Sequence, residues 1–277
     1  MVRYIVEREV EGDVFPEPFA RTIKHLAAPR TLGTAKIWLG IDEIHPHNSS
    51  NGHVHEGQEE VFFFLSGKGR VRVNEEEIIE VGPGYCVLCP MGSFHQVINH
   101  QDTILRFVAV VAPPFTPENF GSSHGQTRKE SGNAKNPNHE CHSSKGGQKM
   151  VKYITEKEAD GDVFPKPYAR TIKPLAAPWT LGTKHLWLAT DEIEPRNASD
   201  PHIHKDQEEV LFFLSGKGRV RVDKEEIDVG PGYCVLFPIG SVHEVINDQD
   251  TILRFIAVVS PPFPVPRKKN DGAKKKA

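Results

Sequence analysis

The residues best suited to chemistry fall into one pattern that occurs twice. His53 and His55 are followed by Glu60 and then, after Gly67 and a Pro-Gly turn, by His95. His202, His204, Glu209 and His243 repeat the pattern. In a β-strand, residues two apart project from the same face with Cα atoms about 7 Å apart, so each His pair can converge on one ion. By the same alternation Glu60 shares its face with Phe62 and Phe64, and His95 shares its face with Val97 and Asn99. Three imidazoles and a carboxylate aimed inward suit an octahedral site for Fe, Mn, Ni, Co or Zn. Such a site leaves two positions for water, substrate or dioxygen. A single strand histidine is more often exposed, or satisfied within a core, than a ligand. Here all eight candidates recur while Phe62 becomes Leu211, Gln96 becomes Glu244 and Cys89 becomes Phe237. One divalent transition metal per copy is therefore expected. Phe62, Phe64, Leu211 and Phe213, with Asn99 and Asn247, are the expected walls of a substrate pocket.

The elements that must position these groups belong to a repeated unit. Met1-Val2-Arg3-Tyr4-Ile5 returns as Met150-Val151-Lys152-Tyr153-Ile154, and Gly12-Asp13-Val14-Phe15-Pro16 returns at 161–165. One residue is lost in the charged turn around 74–80, where length changes cost least. The repeat predicts one domain over 1–115 and a second over 150–265. The intervening residues 116–149 contain no Leu, Ile, Val or Trp. Such a segment cannot bury enough apolar area to offset its ordering entropy and reads as a flexible linker. His124, His139, Cys141 and His142 within it could scavenge metal, but a plain tether is the simpler reading. Within each copy, short β-branched and aromatic runs such as 36–44 and 103–111 alternate with Gly and Pro turns. The expected class is all-β, an antiparallel barrel or sandwich in each copy.

Composition narrows the function. With 277 residues, 38% hydrophobic content and four cysteines, the chain is neither a disulfide scaffold nor a membrane protein with apolar spans of helix length. No apolar signal core opens the sequence, so a reduced, cytoplasmic setting is expected. The net charge of −3 includes a basic tail, 266–277, that carries six of the Lys and Arg residues. The remainder is thus more acidic than the whole, which argues against a specific nucleic-acid surface. The tail reads as a solvated, disordered end. Cys86 and Cys89 have C-x-x-C spacing, but strand alternation sends positions three apart to opposite faces, so buried inert thiols are expected. Arg106 and Arg254, set in apolar strands, could anchor a substrate carboxylate, although a salt bridge is the simpler reading. Tyr85, Tyr233, Trp38 and Trp187 are expected in core packing.

With these residues in view, the sequence resembles the cupin superfamily. The first cupin motif is G, five residues, H-x-H, three or four residues, E, six residues, G. It is met by His53, His55, Glu60 and Gly67 and by His202, His204, Glu209 and Gly216. Its leading glycine is unmatched in both copies; Asn48 and Asn197, or their neighbours, lie there instead. The second motif, G, five residues, P-x-G, two residues, H, three residues, N, is met from Gly84 to Asn99 and from Gly232 to Asn247. The resemblance covers both repeated units. It implies a bicupin: two tandem double-stranded β-helix, jelly-roll-like barrels, each holding a metal on the residues named. It further implies that the barrels pair as an intramolecular pseudo-dimer, with further homo-oligomers open. For function, the favoured expectation is an Fe(II)-dependent dioxygenase acting on a small apolar or aromatic molecule. The alternatives are a non-redox Mn-, Ni- or Zn-dependent isomerase, decarboxylase or lyase, and a non-catalytic small-molecule-binding protein. No general acid or base stands out.

Overall fold

The computed structural model describes residues 2–74, 77–115 and 151–265. The expected linker and basic tail, with His124, His139, Cys141 and His142, lie outside these residues. Among the described residues the regular structure is β throughout, apart from one 3-10 turn, Glu7–Glu9. This follows from the sequence: runs rich in Val, Ile, Phe and Tyr fit a pleated, packed surface. The turns between them supply glycines at positive φ, among them Gly67 and Gly216. At Gly67 a side chain is excluded outright, because a Cβ would meet the Ile104 carbonyl oxygen at 2.4 Å. The same holds for Gly216 against Ile252. The closing glycine of the first motif thus marks a close backbone approach, which only that residue permits.

Each half builds a barrel from two antiparallel sheets. In the first half the larger sheet runs, in spatial order, Tyr85–Cys89, Glu59–Ser66, Leu105–Ala112, Trp38–Ile44, Arg21–Ala27 and Asp13–Phe15. The smaller sheet pairs Phe94–Asn99 with Gly69–Val73 and with the two short strands Asn48–Ser49 and His53–Val54. The second half repeats this arrangement with Glu208–Ser215, Leu253–Ser260 and Trp187–Ile193 at the centre of its larger sheet.

The sequence boundaries assign Arg3–Val6 to the first barrel and Lys152–Thr155 to the second, yet the structure exchanges them. Arg3–Val6 pairs antiparallel with Tyr233–Phe237 of the second half, and Lys152–Thr155 pairs with Tyr85–Cys89 of the first. Each arm covers an edge of the other barrel's sheet, the position where unpaired backbone groups would otherwise stand. The arms are fixed by stacked rings, Tyr4 on Tyr233 at 5.9 Å and Tyr153 on Tyr85 at 6.0 Å.

The strand Glu59–Ser66 is buried on both faces, and alternation sorts its residues into two cores. Val61 and Phe63 join Val210 and Phe212 in an apolar cluster shared by both halves. Phe62 and Phe64 enter the first barrel's own core, and Leu211 and Phe213 enter the second's. The two cysteines of the C-x-x-C spacing divide the same way, Cys86 facing the shared core and Cys89 the barrel interior. Carboxylates fasten the seam. Glu208 accepts hydrogen bonds from the backbone N–H groups of Ala35, Lys36 and Ile37 in the opposite half. Glu59 does the same for Lys184, His185 and Leu186. The halves therefore pack as one body about a common core.

Candidate metal centre

The ligand candidates come from both sheets of each barrel. Glu60 lies on the larger sheet, opposite Cys89. His53 and His95 face each other across the smaller one. His55 follows the short strand His53–Val54 and turns inward, 4% exposed. The four ligand atoms lie within 4.8 Å of one another in each barrel. In the first, His53 Nε2 is 3.1 Å from His55 Nε2, and Glu60 Oε2 is 3.0 Å from His55 Nε2 and 2.8 Å from His95 Nε2. In the second, His243 Nε2 is 3.1 Å from His202 Nε2, and Glu209 Oε2 is 3.2 Å from His204 Nε2 and 3.0 Å from His243 Nε2. Adjacent vertices of an octahedron with bonds of about 2.1 Å are ~3.0 Å apart, so these spacings fit a single six-coordinate ion.

The outer hydrogen bonds fix which ring nitrogen is available. His53 Nδ1 donates to the Asn51 carbonyl at 2.9 Å and His95 Nδ1 to that of Ser93 at 3.1 Å. His202 and His243 donate in the same way to Asp200 and Ser241. A carbonyl only accepts, so Nδ1 carries the hydrogen and Nε2 presents its lone pair inward. Burial, aided by the neighbouring His95, pushes the His53 pKa down to about 3, and burial lowers that of His202. In the second barrel, where Nδ1 of both His202 and His243 is committed to a carbonyl, the two Nε2 atoms face each other at 3.1 Å, an arrangement a cation relieves. Burial alone would raise the Glu60 carboxyl. The hydrogen bonds and charges of His55 and His95 outweigh it and hold the group well below its usual range. Glu209 is held at about 2 by the same opposition. With an ion in place of the protons these histidines share with the carboxylate, the donor set is three imidazole nitrogens and an anionic oxygen, suited to a divalent ion of intermediate hardness. Each barrel provides one such site.

Above each site lies a guanidinium that the sequence reasoning passed over. Arg21 sits 3.4 Å from Asp42 and donates to Asn51 at 3.0 Å. Arg170 sits 3.6 Å from Asp191 and donates to Asp200 at 2.9 Å. Both Nε atoms are buried without a partner, as are Asp42 Oδ1 and Asp191 Oδ1. Burial raises Asp42 to about 6 and Asp191 to about 7 against the lowering effect of the paired arginine. The signal was available, since Arg21-Thr22-Ile23-Lys24 recurs as Arg170-Thr171-Ile172-Lys173 and alternation puts the arginines on the face of Ile23 and Ile172. Arg106 and Arg254, weighed instead, lie elsewhere. Arg106 binds both oxygens of Glu7 and also reaches Glu43, while Arg254 does the same with Glu156 and Glu192.

Of the expected pocket residues, Phe62 and Leu211 line the cavities beside the two sites. Phe64 and Phe213 lie off these cavities, each packed about 5 Å from the next phenylalanine ring, Phe107 or Phe255. Asn99 and Asn247 are corrected outright. The Asn99 amide donates to the carbonyls of Ile44, His45 and Thr103, and its oxygen accepts from Gln101 N–H, so it clamps a turn. Asn247 repeats these bonds. Trp187, expected in core packing, also lines the second cavity. The missing leading glycine has a structural counterpart too. His47 and Arg196 stand six residues before the first ligand with φ of 57°, the left-handed conformation that glycine would fill. Each is tied down by an acid at 2.8 Å, Asp102 or Asp250.

The comparisons agree with this fold. The model of the cupin domain matches residues 40–111 and again 189–259, together about half of the chain. No curated protein matches. Among solved structures, Lactobacillus farciminis oxalate decarboxylase in complex with formate is similar with a TM-score of 0.72 at 16% identity. That likeness covers 94% of this chain and 86% of that one. A structure addressing the Mn(II) centres of Bacillus subtilis oxalate decarboxylase gives 0.73 at 16% identity, covering 95% and 78%. At such identity the likeness speaks to fold alone. The chain belongs to the cupin family and carries two cupin domains.

Proposed function

We propose that this bicupin is an enzyme acting on a small organic acid by a non-redox route, with Mn(II) as its favoured ion. The reaction would be a decarboxylation, an isomerisation or a lyase cleavage. The observation that carries the reading is Arg170, a largely buried guanidinium that lines the same cavity as His202, His204, Glu209 and His243. Its planar fork matches a carboxylate. A neutral apolar substrate, as first expected for Fe(II)-dependent dioxygenation, would offer that guanidinium no anion, whereas a carboxylate would add a charge-assisted hydrogen bond worth roughly 1.5–3 kcal/mol. The Mn(II) centres and oxalate decarboxylation named for the structural relatives also support the non-redox alternative.

A divalent ion held by His202, His204, Glu209 and His243 would supply Lewis-acid polarisation of a substrate carboxylate. The rest falls to the chain. Arg170 binds the substrate carboxylate, and Asp191 and Asp200 hold the guanidinium in place. Phe237, stacked on His243 at 4.3 Å, fixes that imidazole and helps keep water from the reacting face.

The test is turnover under nitrogen by Mn(II)-loaded protein against a panel of mono- and dicarboxylic acids, oxalate included. The reading expects oxygen-independent turnover, with KM raised roughly 100-fold in Arg170→Lys, about 2.7 kcal/mol of lost substrate binding. Turnover only with Fe(II) and with stoichiometric oxygen uptake would restore the dioxygenase.

A further inference from the structure

The two barrels repeat each other's metal ligands but not the space beside them. The cavity at the first site measures about 20 Å³, and that at the second about 280 Å³. A short chain of side chains accounts for much of the difference. In the first barrel His25 Nε2 lies 2.9 Å from Asp13, and Trp38 Nε1 donates to His25 Nδ1 at 3.1 Å. Arg30 reaches the same Asp13 oxygen at 3.6 Å. These contacts tie Asp13, His25 and Arg30 to Trp38, which lines the small cavity together with Phe62.

In the second barrel the aspartate and tryptophan are kept as Asp162 and Trp187, but Pro174 replaces His25 and Trp179 replaces Arg30. Leu211 replaces Phe62, and all five residues line the cavity. Trp187 keeps the orientation of Trp38, packing edge-on against Phe263 at 5.1 Å where Trp38 packs against Phe115 at 5.3 Å. Its Nε1 is therefore left buried with no acceptor. A buried indole N–H is usually satisfied, so the orphan one records the loss of the histidine that fills this space in the first barrel.

We infer that the barrels divide the work: the second binds the organic ligand, and the first is a plugged copy whose site serves its metal alone. The ligand class follows from the walls. Arg170 takes a carboxylate, and Leu211, Trp179, Trp187 and Phe255 enclose an apolar or aromatic body. A cavity at the lower edge of the range for small-molecule sites fits a single-ring acid better than a two-carbon one. This deepens the proposed function by sharing its use of Arg170.

The backbone permits the swap that tests it, because His25 and Pro174 stand at the same irregularity of their strands, where proline is tolerated. The probes are salicylate (2-hydroxybenzoate) and formate, titrated calorimetrically into Mn(II)-loaded full-length protein. The expected result is one salicylate per chain, bound at least tenfold more tightly than formate. In Pro174→His/Trp179→Arg, salicylate binding falls at least tenfold while metal content stays at two per chain. In His25→Pro/Arg30→Trp/Phe62→Leu, the stoichiometry rises to two. Two salicylates per wild-type chain, no salicylate binding, or binding that survives the Pro174→His/Trp179→Arg plug overturns the inference. The readouts are binding and metal content, so a failure to find turnover sinks the proposed reaction without touching this result.

Discussion

Burial pushes both acids near each site up, and their partners decide where each one ends. Glu209 stays ionised because His204 and His243 stand 3.2 and 3.0 Å from its Oε2, whereas Asp191 has one arginine contact at 3.6 Å. With a folded pKa raised to about 7 against an unfolded value near 3.9, Asp191 binds its proton more tightly when folded. Its contribution to stability is therefore full below about pH 4 and is lost as pH rises through 7. In metal-stripped protein, wild type should lose stability relative to Asp191→Asn between pH 5 and pH 8, by on the order of 1–3 kcal/mol. Urea midpoints of the two proteins at both pH values measure this, and a pH-independent difference would contradict it. The thiols give a second prediction at this scale. Burial raises Cys86, Cys89 and Cys234 far above the ordinary thiol range. In a Cys141→Ser background all three should resist a thiol reagent at pH 8 and react promptly in denaturant, since the thiolate is the reactive form. The ligand quartets were legible at this scale because the ligand types recur while their neighbours change. Arg21 and Arg170 were missed because a charged residue at the head of a mixed strand carries less contrast than Arg106 set among valines.

At the scale of elements, strands were legible and their partners were not. Alternation correctly divides Val61 and Phe63 from Phe62 and Phe64, but it cannot say that one face meets the other barrel, because both environments are apolar. The exchanged arms were hidden for a related reason. Arg3–Val6 and Lys152–Thr155 are near-copies, so each carries the same pattern for pairing with either half. The seam carboxylates give the energetic test. Glu208 collects three backbone N–H groups from the opposite barrel, and a buried charge-assisted set of this kind is worth roughly 1.5–3 kcal/mol. Glu208→Gln should therefore lower Tm by several degrees with both metals retained. An unchanged Tm would mean that the seam is held by its apolar core alone.

At the scale of the whole molecule, duplication yields a pseudo-symmetric body whose barrels share an apolar core. That body holds two chemically equivalent ion sites in unequal rooms. The repeat made the equivalence legible. The inequality rests on His25, Arg30 and Phe62 giving way to Pro174, Trp179 and Leu211, three changes whose joint meaning appears only when they share a wall. What both rooms depend on is that each quartet grips an ion, and counting ions tests it most directly. Elemental analysis of Mn(II)-loaded, desalted protein should give two metals per chain. It should give one in His55→Ala and one in His204→Ala, and none when the two changes are combined. Fewer than two in the wild type, or two retained in either single variant, would contradict the account.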